Sequence, residues 1–256
     1  MSVQPERNRL SVSEFADRIR HEMVPVNSRF SYFSTSLSLS EEDVREYLAE
    51  PIASLPPVVS SSLPPVSILL VPFLERSNGK PRRGQPVEDI VCFEKPAENK
   101  VCWDSFVERN EEEILAFGLT DQEMVDYHYR LFGHFARLTG GIAPPDAIHG
   151  YNGLLREELS GSVHGEVDER SWRFKQGLLR RQTKVRRDSK AFTDYAFQSM
   201  IDTLTLYLHG ICCDIDVETG PRQLPSRFLR RRLQLLQSLF PPPDGYAIFP
   251  EEASRA

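Results

Sequence analysis

Residues 53–75 read ASLPPVVSSSLPPVSILLVPFLE, and this stretch decides the fold that the sequence predicts. The pentapeptide SLPPV occurs twice, and neither copy contains the P-x-x-P pattern of a proline-rich ligand. Proline fixes its φ angle and has no backbone N–H, so each Pro-Pro step favours an extended approach. The second copy leads into Ser67–Val71, which is apolar enough for a strand buried on both faces. We therefore predict that the prolines stiffen the approach to this strand and blunt a sheet edge.

Other segments predict an antiparallel sheet around this strand. Arg29–Leu39 alternates and is rich in Phe, Tyr, Thr and Ser, which is typical of a strand. Ser67–Glu75 and Val87–Glu94 flank a basic stretch with Asn78-Gly79, a strong turn signal. These two segments therefore predict an antiparallel hairpin with a long tip.

Apolar spacing and capping patterns predict helices in the remainder of the chain. Ser40 with an acid three residues later begins one helix, which should end before Pro51. From Glu166 the spacing predicts helix to Leu208, although residues 203–218 also alternate as a strand would. The predicted helices span Leu10–Met23, Ser40 to Pro51, Asp104–Gly118, Thr120 to Gly140, Glu166–Leu208 and Ser226–Phe240, with a connection at 149–162.

The predicted fold class is α+β. A small antiparallel sheet in the N-terminal half packs against helices, and the C-terminal portion is mostly helical. We place an α+β portion at 1–150 and a mostly helical, basic portion at 151–256. The boundary is soft, and a single domain remains an alternative at this length.

Composition excludes several classes of protein. Hydrophobic residues make up 40% and charged residues 27% of the 256 residues, which is a globular balance. No apolar run approaches the roughly 18 residues that a membrane helix needs. Residues 1–10 contain no apolar h-region, so we expect no secretory signal. The four cysteines are too few for a disulfide framework, which predicts reduced thiols in the cytoplasm.

Charge is distributed unevenly along the chain. Residues 1–165 hold 16 Lys and Arg against 25 Asp and Glu, a balance of −9. Residues 170–232 hold 14 basic against 6 acidic side chains, a balance of +8. A basic segment with nearby aromatic residues indicates binding of an acidic partner, either a protein or a nucleic acid. The alternative is that the acids of residues 1–165 neutralise it, and the low overall pI disfavours a dedicated nucleic-acid binder.

We predict a soluble, non-enzymatic interaction or regulatory protein whose basic C-terminal helices engage that partner, with no membrane and no cofactor. The residues expected to bind the partner are Arg173, Lys175, Arg180, Arg181, Lys184, Arg186, Arg187, Arg230 and Arg231.

A second hypothesis is a metal-dependent hydrolase or nuclease. His164 and Glu166 would share one face of an extended segment, and carboxylates two residues apart hold divalent ions in many phosphoryl-transfer sites. The alternative for Glu166 is an acid in the first turn of a helix, where it suits the dipole. The candidate residues for this divalent-metal site are His164, Glu166, Asp214, Asp216 and Glu218.

Overall fold

The computed structural model describes residues 9–35, 37, 39–77, 87–109, 112–181, 188–213 and 222–249, without the side chain of Arg181. The strands are β1 (Leu10–Ser11), β2 (Val24–Pro25), β3 (Phe30–Ser34), β4 (Val66–Val71), β5 (Phe73–Glu75), β6 (Ile90–Cys92), β7 (Val101–Cys102), β8 (Asp104–Arg109) and β9 (Glu112–Gly118). The helices are α1 (Val12–Ile19), α2 (Glu41–Val44), α3 (Glu50–Ala53), α4 (Pro57–Ser62), α5 (Met124–Ile142), α6 (Pro145–Ser160), α7 (Glu169–Arg181), α8 (Lys190–Cys212) and α9 (Ser226–Leu239).

The α+β class is confirmed. The described residues form two sheets, and all their strands lie before residue 119. From residue 124 onward the described chain is helical apart from its connections and one isolated bridge, between Glu166 and Gln223.

One sheet is mixed and has five strands in the order β2-β3-β4-β9-β8. The central strand β4 pairs parallel with β3 and with β9, while the outer pairs are antiparallel. All six residues of β4 are buried, as expected for a strand covered on both faces. The other sheet has the order β1-β6-β5-β7 and is antiparallel throughout.

Only part of the predicted hairpin is present, as the antiparallel pair of β5 and β6. Residues 67–71 of its predicted first strand belong to β4, which pairs parallel with β3 and β9 in the other sheet. The predicted tip of the hairpin includes Asn78-Gly79, which lies outside the described residues. Helix α1 begins at a capping box between Ser11 and Glu14 and buries its apolar side against strand residues. The resulting core consists of Val12, Phe15, Ala16, Ile19, Leu69, Val71, Leu74, Val91, Cys102, Val107, Ile114 and Ala116.

The prediction for the two Pro-Pro steps needs correction. Pro57 is the first residue of α4, where a proline loses no helical hydrogen bond. The second step does lead directly into β4, but β4 has a neighbour on each side, so it blunts no edge. Pro65 contributes its carbonyl, which accepts a hydrogen bond from the backbone N–H of Glu113 at 2.9 Å.

The helix predicted over Asp104–Gly118 is wrong, because these residues contain the antiparallel strands β8 and β9. The apolar residues satisfied a helical spacing as well as a strand spacing. Pairing with β4 decides between them, since Ile114–Gly118 are all buried beside that strand.

The helix begun by Ser40 does not end before Pro51. Its capping box with Asp43 is present, and a π-helical turn at Arg45–Ala49 joins α2 to α3. The N–H of Glu50 bonds to the carbonyl of Arg45, five residues earlier. Such a turn adjusts the backbone just before a proline, so the helix continues through it.

Two predictions for the C-terminal half also fail. The stretch 149–162 is not a connection, because α6 covers most of it and buries Ala147, Tyr151 and Leu154 at helical spacing. Residues 166–208 form two helices rather than one. Ser189 is the N-cap of α8 and accepts a hydrogen bond from the N–H of Phe192 at 3.2 Å, which begins a new helix there.

The residues group into two compact units. One comprises 1–50 and 63–130, and the other comprises 51–62 and 131–256. We call the second the helical unit, since it contains α6 to α9. The predicted division at residue 150 stays a prediction.

Candidate functional site

Four charged side chains meet in the interior of the helical unit. Glu158, Glu166 and Arg232 have fully buried side chains, and the side chain of Lys175 is 1% exposed. We call these four residues the buried charge network. Two acids and two bases give it no net charge at neutral pH, which is the condition under which buried ions are tolerated.

The guanidinium of Arg232 joins the two acids. Its Nη1 donates to Glu166 Oε2 at 2.7 Å, and its Nε donates to Glu158 Oε1 at 3.1 Å. Lys175 Nζ lies 3.3 Å from Glu166 Oε1. Helices α6, α7 and α9 therefore each supply one charge, and Glu166 precedes α7.

A glycine places Glu166 in this position. Gly165 has φ +85°, and a Cβ atom there would lie 2.2 Å from the carbonyl oxygen of Gln223, so no other residue fits. The N–H of Glu166 bonds to Arg222 O and its carbonyl accepts from Leu224 N, at 2.9 and 3.0 Å. Lys175 Nζ also donates to Gly165 O at 2.8 Å.

Hydroxyl groups on α8 complete the hydrogen bonding of the network. Tyr195 donates its O–H to Glu166, and Ser199 Oγ accepts from Arg232 Nη1 at 2.9 Å. The Tyr151 hydroxyl lies 2.7 Å from Thr203 Oγ1 and also bonds to Ser199. The charges are thus surrounded by satisfied polar groups, as a buried network requires.

The electrostatics keep Glu166 ionised. Burial alone would raise the pKa of its carboxyl, but the charge and hydrogen bonds of Arg232, together with Lys175, lower that pKa to about 2. Burial lowers the pKa of Lys175 from its usual value, against the opposing effect of Glu166. A fully enclosed carboxylate that stays charged cannot exchange protons with a substrate, so the network is structural.

The network fixes which side of α7 faces solvent. Because Lys175 points inward together with Ser171 and Leu178, the opposite side carries the exposed residues. Residues three, four and seven apart share one face of a helix. We call the outward set the α7 outer stripe; its residues are Arg170, Arg173, Phe174 and Arg180.

A groove lies between the α7 outer stripe and the beginning of α8. It has a volume of about 350 Å³ and is lined by Arg173, Phe174, Gly177, Leu178, Ala191 and Asp194. The ring of Phe174 is 41% exposed although it is large and apolar. Lys190, next to Ala191 in the chain, is exposed as well. The surface therefore combines an apolar recess with cations.

The predicted partner-binding residues divide into three groups. Arg173, Arg180, Arg230 and Arg231 are exposed, as the prediction requires. Lys175 is a correction, because it is buried against Glu166 and cannot contact a partner. The side chain of Arg181 and the residues Lys184, Arg186 and Arg187 lie outside the described part of the structure.

The exposed arginines make local contacts. Arg173 Nη2 pairs with Glu169 at 2.8 Å along the same helix, and Arg231 pairs with Glu157. The guanidinium of Arg230 lies over the ring of Phe249, 4.4 Å from its centre. Such exposed pairs contribute little to stability and separate easily when a partner arrives.

The candidate metal residues are not brought together within the described structure. Glu166 belongs to the buried charge network, whereas His164 is exposed and packs edge-on against Trp172, with ring centres 4.8 Å apart. Asp214, Asp216 and Glu218 lie outside the described residues. Glu166 does not lie in the first turn of α7 either, because that helix begins at Glu169.

Two acidic side chains accept hydrogen bonds from backbone N–H groups at the N-terminus of α7. Asp168 accepts a hydrogen bond from the N–H of Arg170 at 2.8 Å, and Asp202 of α8 accepts from Ser171 N at 3.0 Å. Gln198 Nε2 also donates to Asp202, at 2.6 Å. Burial raises the pKa of Asp202 to about 6, and the nearby Asp168 contributes to the rise.

Sequence reasoning missed Glu158, Arg232, Tyr195 and Asp202. A signal for the first two was available in the helical phase. Glu158 follows the buried Tyr151 by seven residues, and Arg232 lies three after the buried Leu229. When two helices each carry a charged residue at a position that helical spacing places on the buried face, an internal ion pair is indicated.

Comparisons of this chain with protein-family models, with curated proteins and with solved structures found no match. Among the described residues, no helix combines the length and apolar character that crossing a membrane requires.

Proposed function

We propose that this protein is a non-enzymatic interaction protein that binds an acidic segment of a partner protein on the α7 outer stripe. The observation that supports the proposal is the arrangement of Arg170, Arg173 and Arg180 around the exposed ring of Phe174 on one helix face. Cationic and aromatic groups together are characteristic of protein interfaces.

The buried charge network supports this reading because it holds α7 in one rotational setting. Turning the helix would withdraw Lys175 from Glu166 and leave a charge unpaired in the interior. The α7 outer stripe is therefore a preorganised surface, and a partner does not have to order it.

An acidic protein with apolar side chains is favoured over a nucleic acid. The net charge of −6 and the pI of about 5.6 repel either kind of polyanion at long range, so the local surface decides between them. The recess beside Phe174 suits an apolar side chain, which a nucleic-acid backbone does not supply. We place the protein in the cytoplasm, where its four cysteines would stay reduced.

The metal-dependent alternative gains no support, since Glu166 is already neutralised inside the protein by Arg232 and Lys175. A carboxylate in that position has no free oxygen for a catalytic ion. We therefore do not carry this alternative forward.

The proposal is tested by fluorescence anisotropy with a labelled poly-glutamate peptide at low salt. The triple variant Arg170→Glu, Arg173→Glu, Arg180→Glu should weaken binding about tenfold or more, because attraction becomes repulsion. Binding by the unchanged protein should also fall as salt is added.

A matched control reverses three exposed arginines on other elements, Arg18, Arg76 and Arg137. It changes the net charge equally and should retain most of the binding. Equal losses in both triple variants would show that only net charge matters and would overturn the proposal. Tighter binding of single-stranded DNA than of poly-glutamate would overturn the choice of partner.

A further inference from the structure

The groove beside the α7 outer stripe has a glycine at its base. Gly177 lies inside α7, where glycine costs about 1 kcal/mol relative to alanine. Among the described residues outside its own helix backbone, a Cβ atom at this position would meet no heavy atom within 4 Å, so packing against them does not require glycine here. The missing side chain instead leaves the recess open between Phe174 and Ala191.

The groove has an apolar lining, and cations lie on the same two helices. Phe174, Leu178 and Ala191 supply apolar lining, and the cations of Arg170, Arg180 and Lys190 lie on exposed positions of the same two helices. At about 350 Å³ it is at the small end of ligand-binding pockets, which suits one or two side chains.

One acid limits what can enter. Asp194 and Arg173 both line the groove, and Arg173 already donates to Glu169 at 2.8 Å. A carboxylate placed inside the groove would therefore be repelled by Asp194. An acidic segment must therefore direct an apolar side chain into the groove and keep its carboxylates outside, near the arginines. Alternation of that kind on one segment is the property of an amphipathic helix.

We propose that the groove binds a large apolar side chain from an acidic amphipathic helix of the partner protein. This inference rests on the proposed function and specifies the class of partner. Charge complementarity to the arginines orients the helix, and the side chain over Gly177 provides the apolar contact that distinguishes this helix from other acidic segments.

Two labelled peptides of equal length and charge test the inference. One contains only Glu and Ser, and the other replaces some Ser by Leu at positions three and four apart. The amphipathic peptide should bind about tenfold more tightly, the gain expected from burying one large apolar side chain. Equal affinities would overturn the inference while leaving the proposed function intact.

Filling the groove gives the decisive variant. Gly177→Leu should remove the advantage of the amphipathic peptide, so that the two peptides bind this variant with about equal affinity. Gly153→Leu is the matched control, since Gly153 is also inside a helix and a Cβ there meets no atom within 4 Å. The control should keep the full advantage.

The remaining outcomes separate the two proposals. If the Gly177→Leu variant still bound the amphipathic peptide more tightly than the Glu/Ser peptide, the apolar contact would lie elsewhere and the inference would be overturned. Failure of both peptides to bind the unchanged protein would overturn the proposed function itself. Concentration-dependent dimerisation that Gly177→Leu abolishes, seen by sedimentation, would identify a second copy of this chain as the occupant and also overturn the inference.

Discussion

Glu75 and Glu166 are each held by two cations, but in different surroundings. Glu75, at the end of β5, pairs with Arg9 and with Lys100 Nζ at 3.0 Å, and these partners are 61% and 41% exposed. Glu166 pairs with Arg232 and Lys175, whose side chains are at most 1% exposed. The side chain of Glu75 is itself only 9% exposed, so the two sites differ chiefly in whether solvent reaches the cations.

The comparison shows that pKa direction alone does not measure how much an ion pair matters. The pKa of Glu75 is lowered, chiefly by the hydrogen bond from Lys100, and the pKa of Glu166 is lowered too. Water reaches both cations that pair with Glu75, whereas the cations that pair with Glu166 are enclosed in the interior. The free energy of unfolding should therefore respond very differently at the two sites.

The largest effect is expected from Arg232→Met. This change leaves Glu158 and Glu166 buried without their shared cation and should lower the free energy of unfolding by about 3–5 kcal/mol. Urea denaturation measures it. The neighbouring change Arg231→Met is the control, because Arg231 is exposed and should cost less than about 1 kcal/mol. Equal losses in the two variants would contradict the comparison.

Asp202 provides a third case, a buried carboxylate with which no cation pairs among the described residues. Burial raises its pKa to about 6, so its contribution to stability is complete below the unfolded value near 4 and is lost as pH rises through about 6. Relative to the unchanged protein, Asp202→Asn should gain up to about 3 kcal/mol between pH 4 and pH 7.

Denaturation of both proteins at a series of pH values tests this expectation. The predicted signature is a difference in stability that is flat below pH 4 and grows towards neutral pH. A difference that does not change with pH would show that the folded protein does not perturb the titration of Asp202.

The smallest effect is expected from Lys100→Met. Glu75 keeps Arg9 and solvent, so the loss should be below about 1 kcal/mol and should shrink with added salt. Lys175→Met makes the same substitution in the buried charge network and should cost several times more. Thermal unfolding at two salt concentrations distinguishes them, and a larger loss from Lys100→Met would reverse the comparison.

Sequence patterns predicted the elements whose information is local. Ser40 begins a helix by capping, and the continuous apolar run at Val66–Val71 forms a buried strand. Sequence patterns failed for segments whose secondary structure depends on packing against residues far away in the sequence. Ile114–Gly118 are strand because β4 lies beside them, and α6 forms despite Gly150 and Gly153 because its other side is buried.

The candidate site was only partly predictable for the same reason. The basic character of residues 170–190 is evident in the sequence, but the sequence alone does not show that Lys175 faces Glu166 and Arg173 faces solvent. The partner of Arg232 lies 66 residues earlier in the chain, and no local pattern connects them. Helical spacing shows which charged residues face inward, but only after the structure has identified the inward side of each helix.

The spacing within the buried charge network has a consequence for biosynthesis. Arg232 follows Glu158 by 74 residues and Glu166 by 66. A ribosome adds about 5–20 residues each second, so both acids emerge several seconds before the guanidinium that neutralises them. During that interval, burying the two acids without their cation would cost free energy. We therefore expect the helical unit to close only after α9 has been made.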